Sequence, residues 1–183
     1  TGTNAIVDWI VVEIRNSTVP TQRMYTTSAL LQRDGDIVAT DGVSPLTIPL
    51  TAGNYHVAVR HRNHLGVMTA SPISIATGTV LNLVTAPTWG SGAMYNSNGT
   101  NVMWAGDASF DGVLKYTRRG NDSDLILSRI GGTIPTNVVN GYYQEDVNLS
   151  GSVKYTGQDN DRDAILFNIG GTVPTSTKSQ QIP

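Results

Sequence analysis

The 183-residue sequence contains no cysteine. That excludes disulfides, thiolate nucleophiles and cysteine zinc sites, so the fold must rest on packing, hydrogen bonding or hard-cation binding. Charged residues are scarce as well, at 14%, and the formal net charge is only −2. No basic stripe interleaved with aromatics occurs, which argues against a nucleic-acid partner. No apolar run reaches the length of a membrane span, because Asp8 and Glu13 interrupt the most apolar early stretch. The sequence starts at Thr1 with neither a methionine nor a signal-like apolar segment, so a targeting sequence is expected to have been removed or left out. Gly-x-Ser-x-Gly, a Gly-rich phosphate loop and His-Glu-x-x-His are all missing, and the chain is read as non-enzymatic.

What the sequence does have is a duplication. Asp107 to Thr136 recurs as Asp146 to Thr175, 39 residues on and without a gap, through Gly112/Gly151, Lys115/Lys154, Tyr116/Tyr155, Asn121/Asn160, Asp122/Asp161, Gly131/Gly170 and Pro135/Pro174. Each copy opens with oxygen-bearing side chains at alternate positions before a glycine: Asp107, Ser109 and Asp111, then Asp146, Asn148 and Ser150. Hard oxygens at that spacing open a calcium loop, and the glycine permits the turn that points the following carbonyls, of Val113 and Ser152, inward. The place where a bidentate carboxylate closes a standard 12-residue loop holds Arg118 and Gly157. The loop is therefore read as lengthened by Lys-Tyr-Thr-x-x-x. Closure then falls to Asp122 or Asp124 in the first copy and to Asp161 or Asp163 in the second, from the first turn of a short helix. Apolar residues at helical spacing follow, Leu125, Ile126, Leu127 and Ile130, then Ile165, Leu166 and Ile169, and each run ends at Gly-Gly with a proline beyond. Turn and cap chemistry would account for a single such loop. Two in-register copies favour two calcium ions.

These residues resemble the dockerin type of duplicated loop-helix module. They are still more similar to a variant with the Lys-Tyr-Thr insertion found near the C-termini of large secreted and surface proteins of Bacteroidetes such as the Saprospira group. The resemblance covers about residues 104 to 183 and implies an exported, calcium-stabilised module.

The first half alternates apolar and polar residues and is rich in β-branched ones. Strands are expected at 5–15, 24–32, 37–39, 46–50, 54–61, 72–76 and 80–85, with a hairpin turn at Asp34-Gly35-Asp36. This spacing predicts a mainly β chain: an antiparallel β-sandwich over residues 1–88, an ordered connector over 89–105 with Trp104 packed between the halves, and the duplicated domain over 106–183. Leu50 to Val59 resembles the "ala-gly-x-tyr-x-val" strand of transthyretin-like and collagen-binding B-type sandwiches. All three lysines (Lys115, Lys154, Lys178) lie outside that region, which excludes the lysine–asparagine crosslink of some such sandwiches.

His61 and His64 have no third ligand nearby and two arginines beside them, so zinc is not expected there. Trp89, Tyr95, Tyr142 and Tyr143 could stack on sugar but are read first as packing residues. The functional expectation is a calcium-binding structural or adhesive module of the cell exterior that self-associates as a homo-oligomer or fibre. The alternative is a docking or carbohydrate-binding appendage of a secreted enzyme, with a protein or glycan partner at the cell surface. The polar tail 175–183 is expected to add a strand to a sheet edge, its own sandwich's or a neighbour's, with Ile182 in a pocket.

Overall fold

The computed structural model describes residues 2–183. The chain is mainly β, with antiparallel sheets and two short helices in its C-terminal region. It divides into two compact units. The first comprises residues 2–61, Gly66–Val102 and Gln181–Pro183; the second comprises Arg62–Leu65 and Met103–Gln180.

In the first unit the alternating stretches become β1 (Ile6–Asn16), β2 (Arg23–Gln32), β3 (Ile37–Val38), β4 (Gly53–His61), β5 (His64–Met68, of which Gly66 onward belongs here) and β6 (Ile73–Ile75). They join one six-stranded sheet in the order β3-β2-β1-β4-β5, with β6 pairing the start of β4. The register sets Ile10 beside Ala29, Val12 beside Val59 and Ile14 beside Val57, and this row is buried. Residues directly opposite share a face, so the alternation of β1 fixes which side becomes core.

A sandwich needs two facing sheets, and the expected strands supply one. The stretches 46–50 and 80–85 form no strand, while β5, which was not among the expected strands, pairs with β4. The only other paired strands of this unit among the described residues are β7 (Met94–Ser97) and β8 (Thr100–Met103), whose last residue falls in the second unit. Their two-residue turn, Asn98-Gly99, has positive φ at both positions (51° and 89°), as a primed hairpin turn requires.

The opposite face of β1 holds a buried ion cluster. Glu13 accepts from Arg15 Nε at 2.8 Å and Nη2 at 2.6 Å and from Arg60 Nε at 2.9 Å, while Arg23 Nε lies at 3.2 Å. Arg15, 1% exposed, spends its remaining donor on the carbonyls of Pro20 and Pro183.

In the second unit the duplication becomes an exchange. The first half supplies β9 (Val113–Lys115), α1 (Asp122–Arg129) and β10 (Val138–Asn140); the second supplies β11 (Ser152–Lys154), α2 (Asp161–Asn168) and β12 (Thr177–Ser179). β10 pairs with β11, and β12 pairs back with β9, so each half's trailing strand completes the other half's loop. Equivalent hydrogen bonds repeat the swap: Gly141 N–H to the Gly151 carbonyl and Gln180 N–H to that of Gly112, Thr156 hydroxyl to Pro135 and Thr117 hydroxyl to Pro174. Reciprocal exchange of this kind is an internal pseudo-two-fold. Its core pairs equivalent residues: Ile126 with Ile165, Ala108 with Val147, all buried together with Ile130 and Val153. Leu65, Leu114 and Ile169 form a second cluster with Trp104, which therefore packs inside this unit, under Lys178 Nζ at 3.4 Å from its ring centre.

The tail is thereby explained. Residues 177–179 are the counterpart of β10 and pair with β9 of their own chain rather than with an edge of the six-stranded sheet, and Ile182 is only half-buried. A chain ending at Pro174 leaves β9 without its ladder partner. It should unfold at lower denaturant than the full chain while keeping the full chain's particle size. Urea melting and light scattering on one sample check both.

Candidate calcium loops

Each helix begins at an asparagine for a local reason. Asn121 Oδ1 accepts from Asp124 N–H at 2.9 Å and its Nδ2 donates to Asp124 Oδ2 at 2.8 Å, a reciprocal cap that Asn160 and Asp163 repeat at the same distances. Each helix ends where Gly132 N–H reaches the Leu127 carbonyl and Gly171 N–H that of Leu166, both at 2.8 Å, with the glycines at positive φ.

The caps settle which carboxylate of each pair turns inward. Asp124 and Asp163 are held by their asparagines at the helix mouth. Asp122 and Asp161 are fully buried and reach back into the loops: Asp122 accepts from Ser109 N–H (3.0 Å) and Lys115 N–H (2.8 Å), Asp161 from Asn148 N–H (3.2 Å) and Lys154 N–H (2.8 Å). The opening residues are buried beside them. Asp107 accepts from the N–H groups of Asp111 (3.0 Å) and Gly112 (2.9 Å), Asp146 from those of Ser150 (2.9 Å) and Gly151 (2.8 Å). Both loop glycines have φ of +81°, a conformation that a side chain would strain.

The remaining expected ligands are placed differently in the two loops. Ser109 donates its hydroxyl to Asp107 at 3.3 Å, but Asp111 is engaged by Lys115 Nζ at 2.6 Å, and Val113 donates its N–H to Asp111. In the second loop Ser150 Oγ meets the Ser152 carbonyl at 3.1 Å, so that carbonyl faces the loop interior. Asn148 spends its amide nitrogen on the Asp159 carbonyl and its oxygen on Ser150 N–H. Each loop thus brings together two carboxylates plus neutral oxygens. Among the described residues no group of three or more His, Asp or Glu side chains converges on one point.

Electrostatics test whether a cation fits. Burial pushes Asp122 up to about 6, against its backbone hydrogen bonds and with the Asp107 charge adding to the rise. Burial raises Asp161 likewise, with a contribution from Asp146, and raises Asp107, with one from Asp111. Buried carboxylates in pairs are costly unless a positive charge joins them. An oxygen-only donor set of that charge suits a hard divalent cation.

The other chemistry-bearing residues have ordinary structural partners. His61 Nε2 lies 3.0 Å from Asp8 Oδ2, and His64 Nδ1 lies 2.8 Å from Asn63 Oδ1. Trp89 meets His56 edge-on at 5.4 Å and Tyr95 is half-buried. Arg129 covers Tyr143 at 4.7 Å, and Tyr142, the exposed member of the four, lies 4.4 Å from the Arg62 guanidinium. Sequence reasoning missed the Glu13 cluster, although Glu13-x-Arg15 inside an apolar strand places both charges on one face. Comparison with protein-family models, curated proteins and solved structures found no match.

Proposed function

We propose that the chain is a non-enzymatic, calcium-binding structural or adhesive module that works outside the cell and associates with itself. The observation that carries this reading is the repeated pairing of buried carboxylates, Asp107 with Asp122 and Asp146 with Asp161, in loops closed reciprocally by the two halves. One ion would be held by Asp107 and Asp122 with Ser109, Asp111 and the Val113 carbonyl, once Asp111 leaves Lys115. A second would be held by Asp146 and Asp161 with Asn148, Ser150 and the Ser152 carbonyl. Calcium supplies no chemistry there beyond charge and cross-linking, tying each loop opening to its helix. The resemblance of residues 104–183 to dockerin-like modules of exported proteins and the lack of cysteine support an extracellular setting. The transthyretin-like and collagen-binding B-type likeness rests on β4 alone.

The alternative, a docking or glycan-binding appendage, draws on Tyr142, whose ring already carries Arg62. Melting curves with calcium and with chelator test the main reading. Calcium is expected to raise the transition of the second unit and leave that of the first in place, and superimposable curves would refute it.

A further inference from the structure

The two loop tips differ in a way the duplication does not explain. Phe110 and Leu149, equivalent residues, sit at φ of +58° and +57° with 51% and 42% of their surface exposed. A left-handed backbone strains a residue that has a side chain, and an exposed apolar group gains nothing from solvent. Both copies nonetheless keep a large apolar side chain where glycine would be unstrained.

The neighbouring turn shows the same choice with charge. Arg118 stands at φ +80° where the second copy has Gly157, and Asp159 stands at φ +53° where the first has Gly120. Hydrogen bonds place these turns beside the tips: Ser109 N–H to Asp122, Asn121 Nδ2 to the Arg118 carbonyl at 2.7 Å, and Asn148 Nδ2 to the Asp159 carbonyl at 2.8 Å. The first tip thus carries Phe110 with the exposed, basic Arg118 and Arg119. The second carries Leu149 with the exposed, acidic Asp159. Each holds its charged side chain in a backbone conformation that its twin relaxes with glycine.

We infer that the two tips are complementary halves of one contact, and that the partner is a second copy of this chain: the Phe110/Arg118/Arg119 tip of one copy docks on the Leu149/Asp159 tip of the next. This rests on the self-association read above and gives it a site. The contact joins two different surfaces, so it is head-to-tail and propagates rather than closing as an isologous dimer does. The tips are small and the charges exposed, so association is weak, rises with concentration and falls with salt.

Charge reversal tests it. The full chain with calcium should give a sedimentation coefficient that climbs with concentration. Arg118→Glu with Arg119→Glu makes both tips acidic, and Asp159→Lys makes both basic; each variant alone should stay monomeric, with its association constant down about tenfold or more. An equimolar mixture restores opposite tips at every junction and should assemble again. Phe110→Gly with Leu149→Gly removes the apolar anchors and the strain together, so it should melt no lower than the parent yet fail to assemble. Calcium titration calorimetry on each variant separates the two readings: unchanged calcium binding with lost assembly supports the contact, and no calcium binding in any variant refutes the ion sites while leaving the assembly result to stand alone. A parent chain monomeric up to its solubility limit, reversed variants that assemble like the parent, or a mixture that stays monomeric would each overturn the inference.

Discussion

Glu13→Ala should destabilise the first unit by about 3–5 kcal/mol, the range for removing one partner of a buried ion pair. The reason is what stays behind. Arg15 is 1% exposed and, among the described residues, its Nε and Nη2 donate to Glu13 alone, while Arg60 loses the same carboxylate. Replacing the pair by apolar residues is a different experiment with a different outcome, because no uncompensated guanidinium remains. Denaturant unfolding followed by Trp9 and Trp89 fluorescence reads the change, and the second unit should unfold where it did before.

The same carboxylate sets an acid limit. Burial pushes the Glu13 carboxyl up, but Arg15, Arg60 and Arg23 together outweigh it and hold the group below the ordinary range. A carboxylate whose folded value is depressed contributes stability that is complete above its unfolded value, about 4.3, and is lost as pH falls through the folded one. The first unit should therefore keep its stability from neutrality down to about pH 4 and lose it below. In Glu13→Gln that acid-induced loss should shrink, which a melting series across pH 3 to 7 would show.

The second large effect concerns closure of the first loop. Asp122→Ala should abolish the calcium response of that loop, whereas Asp124→Ala should preserve it and cost only a cap, about 1 kcal/mol. At a hundredfold excess of calcium over its dissociation constant the lost stabilisation is about 2.7 kcal/mol. The distinction follows from burial and direction: Asp122 reaches back to Ser109 and Lys115, and Asp124 is tied to Asn121. Without calcium Asp122→Ala removes a charge that burial penalises but leaves the Ser109 and Lys115 N–H groups without their acceptor, so the ion's share of the cost is the difference between melting with calcium and without it. Calorimetric titration of the two variants checks the split, and equal calcium binding by both would show that Asp122 does not close the loop.

The sequence by itself determined the local elements whose causes are local. Alternation along residues 6–16 and 53–61 specified strands because period two buries one face, and Asn-Asp-x-Asp before an apolar run specified where each helix starts. The 39-residue offset revealed two equivalent halves, and it was sufficient to single out four acidic positions in the first copy, Asp107, Asp111, Asp122 and Asp124, and three in the second, Asp146, Asp161 and Asp163, where Ser150 replaces the other.

What only the tertiary structure decided was pairing. Spacing says that strands exist but not which edges meet, and so a single six-stranded sheet stood where two facing sheets were expected. Repeat symmetry does not say whether each half closes on itself or on its twin. The reciprocal ladders β9–β12 and β10–β11 chose the twin, and thereby gave a polar, weakly apolar tail a fixed place. The inward carboxylate in each Asp-x-Asp was decided by competition for one asparagine, because a side chain committed to the cap at Asn121 or Asn160 is no longer free to turn into the loop.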